Sequence, residues 1–397
     1  YRNGEKIAEI PHSTGTFYRD TYSGNEKAVY TVKPVINGVE TGKLNGNYTL
    51  PANAPSGYID IPLDRPAEGV TPSGQKYTYS PNDASIGDVD GDGEYEIILK
   101  WDPSNAHDNA HDGYTGNVYF DCYRLTGEKL WRIDLGHNVR AGAHYTQFMV
   151  FDLDGDGKAE VVMKTSDGTK DGKGKIIGDA KADYREPGIT DGNSYGNTPR
   201  NQGRILTGNE YLTVFNGLTG EAMKTIDYVP ARGKLTDWGD NRANRSDRFL
   251  ACVAYLDGVH PSVVMCRGYY TRTVLAAFDW DGKNLKQHWV FDSNNPGCED
   301  YAGQGNHNLR VGDVDGDGCD EIMYGSCAID HDGKGLYSTR MGHGDAMHLT
   351  QFAPGLKGLQ VWDCHENKKD GSTFRNAATG EVLFQVKSSI DVGRCMA

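Results

Sequence analysis

The stretch DVDGDGEYEIILK, residues 88–100, decides the fold class of this chain, because it joins a tight acidic turn directly to an apolar strand. The same unit returns as DLDGDGKAEVVMK at 152–164 and as DVDGDGCDEIMY at 313–324. A second unit is a hairpin turn before a hydrophobic strand, and it occurs at 125–131, 218–221, 280–283 and 378–381. No long amphipathic helical pattern competes with these short strands.

Two kinds of unit that recur at irregular spacings along the chain are typical of the blades of a β-propeller that carries long insertions. The sequence therefore predicts an all-β protein. Residues 1–80 form a small N-terminal β domain with a linker, and residues 81–397 form the propeller part. The largest insertion, 166–202, is rich in Gly, Asp, Lys and Asn and is predicted to be a long surface loop.

The acidic turns place carboxylates at positions 1, 3, 5 and 9 and glycines at positions 4 and 6. Calcium prefers six to eight oxygen ligands, and closely packed carboxylates repel one another without a cation. A strand follows each loop, so the loops are not EF-hands, which lie between helices. We expect several structural Ca²⁺ ions with these ligands: Asp88, Asp90, Asp92, Glu96, Asp152, Asp154, Asp156, Glu160, Asp313, Asp315, Asp317 and Glu321.

Polar residues flanked by glycine mark further strand ends, where a propeller builds its top face. His307, His343 and Glu366 are predicted to converge there on a metal ion, the alternative being isolated, hydrogen-bonded histidines. Arg140 and His144 have the same setting and are candidate substrate-binding residues. From the sequence pattern alone, a lone arginine such as Arg394 is more often structural than functional.

The net charge is −14, from 41 basic and 55 acidic residues, which argues against nucleic acid and anionic membrane as partners. No apolar run approaches the roughly 18–20 residues of a membrane span. Eight cysteines occur without a Cys-x-x-Cys motif, which leaves both disulfides and buried free thiols open. The chain begins at Tyr1, and we expect an export signal to have been removed or left out.

Several motifs resemble the rhamnogalacturonan lyases of polysaccharide lyase family eleven across nearly the whole chain. They are SIGDVDGDGEYEIILKWDPSN (85–105), RAGAHYTQFMVFDLDGDGKAE (140–160), AGQGNHNLRVGDVDGDG (302–318), DHDGKG (330–335), GHGDAMH (342–348) and DVGR (391–394). The resemblance implies an eight-bladed, calcium-rich propeller that cleaves the rhamnose–galacturonate backbone of pectin by β-elimination.

The resemblance also implies that His307 and His343, with Glu366, hold a metal in the cleft and that Arg394 is catalytic. It implies a secreted monomer acting on a polysaccharide, with the periplasm and the cell surface as alternative locations. The family's catalytic Lys and Tyr would lie beyond residue 397, so we expect this chain to be an inactive part of a longer enzyme. A glycoside hydrolase and a non-catalytic calcium propeller that binds carbohydrate or serves adhesion remain the alternatives.

Overall fold

The computed structural model describes residues 1–11, 17–41, 47–55, 57–191 and 197–396, and these residues form strands joined by turns and loops. Among these described residues, the helical elements are two short 3-10 helices, Leu235–Trp238 and Glu299–Tyr301. The all-β class predicted from the sequence is therefore confirmed. Among the described helices, neither is long and apolar enough to cross a membrane.

The N-terminal part contributes three small antiparallel pairs. Their strands are β1 (Ala28–Thr31) with β4 (Asn47–Leu50), β2 (Val35–Ile36) with β3 (Val39–Glu40), and β5 (Gly69–Val70) with β6 (Lys76–Tyr77). Both residues of β2 and both residues of β3 are exposed, so that pair adds nothing to the main core.

Three four-stranded antiparallel sheets follow. The first contains β7 (Tyr79–Gly87), β8 (Glu96–Pro103), β9 (Tyr119–Tyr123) and β10 (Lys129–Asp134). The second contains β11 (Phe148–Phe151), β12 (Glu160–Ser166), β13 (Glu210–Asn216) and β14 (Ala222–Asp227). The third contains β15 (Phe249–Ala254), β16 (Ser262–Arg267), β17 (Val274–Trp280) and β18 (Leu285–Asp292).

The last sheet has eight strands in the order β22-β21-β20-β19-β23-β24-β25-β26. One half contains β19 (Gly305–Gly312), β20 (Glu321–Gly325), β21 (Cys327–Ile329) and β22 (Gly335–Ser338). The other half contains β23 (Gly344–Thr350), β24 (Gln360–His365), β25 (Ser372–Asn376) and β26 (Val382–Val386). The halves meet through one parallel bridge, Asn306 to Gly344.

Apolar side chains fill the space between successive sheets. One cluster combines residues of the first and second sheets, such as Phe120 and Val161, and another joins the second and third through Val214 and Phe278. A third cluster joins the third sheet to β20 and β21. Inner strands are covered on both faces, which explains why all seven residues of β12 are buried.

The two sequence units occupy fixed places in this pattern. Each acidic turn connects the first two strands of a four-stranded set, namely β7–β8, β11–β12 and β19–β20. The hairpin turns connect the third and fourth strands in each of the three four-stranded sheets and in the second half of the last sheet. The insertion at 166–202 is only partly a surface loop, because Asp167, Thr169 and Asp171 are buried and residues 192–196 lie outside the described part.

A buried ion pair gives a direct test of this packing. Asp363 and Arg375 both have fully buried side chains, and their Oδ2 and Nη1 atoms are 2.8 Å apart. Replacing Asp363 with Ala leaves the guanidinium without its counter-charge, so the free energy of unfolding should fall by about 3–5 kcal/mol. Denaturant unfolding followed by tryptophan fluorescence measures this change. The Arg340→Ala control, which removes an exposed pair with Asp300, should change it little; equal losses in both variants would contradict the argument.

Candidate functional site

Four potential metal ligands lie together where β19, β23 and β24 approach one another: His307, His343, Asp345 and Glu366. Each offers one ligand atom, and these atoms lie within 4.8 Å of one another. His307 Nε2 is 3.2 Å from Asp345 Oδ1, and His343 Nε2 is 3.5 Å from Glu366 Oε1. The three ligands named by the sequence analysis are thus neighbours, and Asp345 is a fourth that it missed.

The parallel bridge between β19 and β23 explains why residues far apart in sequence meet here. Asn306 pairs with Gly344, so His307 follows one end of the bridge while His343 and Asp345 flank the other. Gly344 also pairs with His365, and the Glu366 amide donates to the His343 carbonyl at 3.1 Å. A Cβ at position 344 would lie 2.0 Å from the Cys364 carbonyl oxygen, so only glycine permits this approach.

The imidazole of His343 is arranged as a ligand. Its Nδ1 is 2.5 Å from the Gly305 carbonyl oxygen, which fixes the proton on Nδ1 and leaves a lone pair on Nε2. That Nε2 atom is buried and has no hydrogen-bond partner among the described residues. A histidine that donates one nitrogen to a backbone carbonyl and presents the other is the usual form of a metal ligand. The residues present therefore fit a divalent ion.

Burial shifts the pKa of all four side chains so that the neutral form is favoured. It lowers the pKa of His307 to about 3 and that of His343 to about 4, so both imidazoles are neutral at physiological pH. It raises the pKa of Glu366 and of Asp345, because each carboxylate loses hydration and lies near other acids. A bound cation would offset that cost and hold both carboxylates ionised.

Two adjacent tyrosines, which were not among the residues predicted from the sequence, support the histidines. The Tyr269 hydroxyl lies 3.1 Å from Nδ1 of both His144 and His307. The Tyr270 hydroxyl lies 3.1 Å from His307 Nε2, and its ring centroid is 4.0 Å from that of His343. Their dipeptide has no motif that distinguishes it from other aromatic pairs of the sheets.

Two arginines add positive charge beside the cluster. The Arg245 guanidinium carbon lies 4.1 Å from the centroid of the Tyr270 ring, and that of Arg248 lies 5.2 Å from it. Arg248 is buried and bonded to the Asn244 side chain at 2.9 Å. Arg245 is only half-buried, and no carboxylate lies within ion-pair distance of it in the part of the chain that the structure describes. Its guanidinium is available to an anion.

The other predicted residues have different settings. His144 lies in the site, with ring centroid 4.8 Å from that of His307 and Nε2 3.5 Å from Asp108 Oδ2. Arg140 is buried and donates to the Tyr145 hydroxyl at 2.7 Å and to two backbone carbonyls, so its contacts give the substrate-binding prediction no support. Arg394 is exposed and its charge acts on the Asp345 carboxylate.

The acidic loops form a second kind of site at the opposite ends of the strands. In each loop the first aspartate accepts two backbone amides, as Asp152 does from Gly155 at 2.8 Å and Gly157 at 2.9 Å. The closing glutamate accepts the amide of the second loop residue, and burial raises the pKa of both Glu160 and Glu321 to about 7. Both carboxylates would be stabilised by a cation.

The loops differ in their counter-charges. In the first loop, Arg124 lies 2.7 Å from Asp90 Oδ2 and 3.2 Å from Glu96 Oε1, so a guanidinium already faces two predicted ligands. In the third loop, His331 Nδ1 lies 2.8 Å from Asp330 Oδ1 and 3.7 Å from Glu321 Oε1, and that Glu321 oxygen is buried without a hydrogen bond among the described residues. Among the described residues, no Lys or Arg lies within ion-pair distance of the acidic ligands of the second and third loops, so these two loops have the stronger demand for an ion.

The chain consists of stacked antiparallel sheets with a cluster of two histidines and two carboxylates at their strand ends. This arrangement places it in the class of all-β proteins with a candidate metal-binding site. A family model described as "Rhamnogalacturonan lyase family 11, C-terminal domain" matches residues 58–397, and the chain belongs to this family. It is 58% identical over 399 residues to the rhamnogalacturonan exolyase YesX and 55% identical over 401 residues to the rhamnogalacturonan endolyase YesW, both of Bacillus subtilis strain 168.

Those alignments cover 100% of this chain and 62% and 61% of the relatives, so the chain spans about three fifths of their length. Solved structures give the same picture, with TM-scores of 0.86 for exotype YesX and 0.87 for YesW. A rhamnogalacturonan lyase PL11 of Bacillus licheniformis, at 56% identity, also gives 0.87 over 99% of this chain and 65% of its own.

Replacing His343 with Ala should remove one bound divalent ion per chain, because it deletes the buried Nε2 ligand. Elemental analysis of metal content after equilibration with calcium and gel filtration measures the change. His288→Ala is the control, since His288 lies near Asp279 and outside the cluster. An unchanged ion count in His343→Ala, with the fold intact by circular dichroism, would refute the site.

Removing metal from the chain should lower its melting temperature, and added calcium should restore it. An ion at 100 times its dissociation constant adds about 2.7 kcal/mol to stability. Glu160→Gln should reduce the calcium-dependent part of the melting shift, whereas Asp60→Asn, at an exposed aspartate outside the loops, should not. Identical melts before and after verified metal removal would contradict the calcium assignment.

Proposed function

We propose that the protein containing this chain is a rhamnogalacturonan lyase that cleaves the rhamnose–galacturonate backbone of rhamnogalacturonan I by metal-assisted β-elimination. The observation that carries the proposal is the His343 imidazole, buried with a free Nε2 among three further ligands and next to an arginine without a carboxylate partner. Membership of the lyase family gives this arrangement its reaction class.

β-Elimination removes the proton at C5 of a galacturonate and expels the rhamnose oxygen at C4. The C5 proton becomes acidic only if the adjacent C6 carboxylate is neutralised. A calcium ion held by His307, His343, Asp345 and Glu366 would supply Lewis-acid neutralisation when bound.

The chain's own arginines serve the same end. Arg245 is held over the Tyr270 ring by a loop in which Asp240 accepts the amides of Arg242 and Arg245, both at 2.6 Å. A guanidinium offers a carboxylate two parallel hydrogen bonds. We assign Arg245 to binding the galacturonate carboxylate and Arg394 to stabilising the charge that develops near C5, because a guanidinium stabilises negative charge through its hydrogen-bond donors.

The architecture of the whole protein, its location and its oligomeric state complete the proposal, and each has its own support. The five four-stranded sets support a calcium-binding β-propeller with eight blades in the whole protein. A polymeric plant substrate supports an extracellular location, and we expect a monomer. Of the two predicted substrate-binding residues, Arg140 and His144, we propose only His144 for that role, because its ring centroid lies 4.8 Å from that of His307.

The test uses the full-length protein with rhamnogalacturonan I. A lyase leaves a double bond conjugated to the carboxylate, so absorbance in the near ultraviolet should rise with time. Chelation should stop the rise and calcium should restore it. A saturated product would identify a hydrolase, and saccharide binding without turnover would identify a non-catalytic module; either result overturns the proposal.

Arg245→Ala and Arg394→Ala should each lower kcat/KM by about 10²–10³-fold, the usual loss when one group that stabilises developing charge is removed. Arg340→Ala, at an exposed arginine paired with Asp300, should retain full activity. Matched melting temperatures of all three variants separate catalysis from folding. Full activity of Arg245→Ala would remove that residue from the binding site.

A further inference from the structure

We propose that Cys364 and Cys395 form a disulfide bond that fastens the segment carrying Arg394 to β24. The two sulfur atoms share one acceptor, because each lies 3.3 Å from the Ala346 carbonyl oxygen. Cys395 Sγ is also 3.8 Å from the Trp362 carbonyl oxygen, in the same strand as Cys364. Thirty-one positions separate the two cysteines, yet their side chains enter one small space.

The surroundings of Cys364 suit a sulfur that reacts with a second thiol. Its sulfur accepts the Ala346 amide at 3.3 Å. Cys364 is fully buried while Cys395 is half-buried, so the pair is reached from the side of Cys395.

The oxidant we name is a small-molecule disulfide such as oxidised glutathione. The Cys395 thiolate attacks one sulfur of that disulfide, which forms a mixed disulfide and releases one glutathione thiolate. The Cys364 thiolate then attacks the Cys395 sulfur and expels the second glutathione. The two cysteines lose two protons and two electrons, and the oxidant becomes two thiols.

Few other contacts hold the segment that the bond would fix. The Val392 amide lies 3.3 Å from the His365 carbonyl oxygen, and His348 Nε2 lies 3.0 Å from the Cys395 carbonyl oxygen. Arg394 itself is exposed and bonds only to the neighbouring Gly393 carbonyl, among the described groups. A covalent bond at the next residue would restrict its backbone. The benefit for catalysis rests on the proposed function, whereas the bond itself does not.

The experiment compares the full chain after dialysis against oxidised glutathione and after dithiothreitol, with alkylation of free thiols before mass spectrometry. We expect oxidation to remove the mass of two hydrogen atoms and to yield a cross-linked peptide containing Cys364 and Cys395. Cys364→Ser and Cys395→Ser should abolish this change. Cys319→Ser, at a thiol in the third acidic loop, should keep it.

A second readout follows the segment itself. A lysine-specific endoprotease cleaves after the exposed Lys387, and in the oxidised chain the peptide beyond this site should stay attached until reductant is added. Alkylation of both thiols after oxidation, a persistent glutathione adduct on Cys395, or a cross-link to another cysteine would each overturn the proposal. Circular dichroism of the serine variants shows whether they fold, and a misfolded variant leaves the wild-type peptide map to decide.

Discussion

The buried pair of Arg375 and Asp363 is the interaction on which the site depends. Arg375 donates to the Asp363 carboxylate and to the Gly325 carbonyl, and the other Asp363 oxygen accepts the Asn306 side-chain amide at 2.6 Å. Asn306 is the residue that bridges β19 to β23. One chain of charge-assisted hydrogen bonds thus links the two halves of the last sheet, and both site histidines are next to that link.

Such a junction is costly unless every group is paired, since a buried charge without a partner loses several kcal/mol of hydration. The network of hydrogen bonds fixes the register between the parallel strands β19 and β23. Hydrophobic residues of similar size would fill the same volume but would not fix that register. The register matters because a shift of one residue would turn His307 away from Asp345. The ion pair therefore acts as a positioning device for ligands that it does not touch.

Sequence patterns predicted those parts of the molecule that are local. The acidic turns and the hairpin turns lie within a few residues, so their places between strands followed directly from the motifs. The metal-type cluster was predicted in part, because His307, His343 and Glu366 are polar residues beside apolar strands, and glycines lie near the two histidines. Asp345, Tyr270 and Arg245 were missed, since each depends on how β19, β23 and the loop at 239–248 meet in space. The contacts of Arg140 were equally invisible: its burial depends on Tyr145 and backbone carbonyls of a separate loop.

The two kinds of predicted metal site differ in where their ligands come from in the chain. The acidic loops lie between strands, and their ligands come from one turn each, so an ion there stabilises a hairpin. The histidine–carboxylate cluster draws its ligands from β19, β23 and the residues beside them, and it lies at the other end of β19 from the third loop. Asp313 lies six positions beyond His307 along an extended strand, a distance of roughly 20 Å. An ion in the cluster therefore could not replace one in the loop. Under the proposed function, loss of metal would act on stability through one end of the strand and on the reaction through the other.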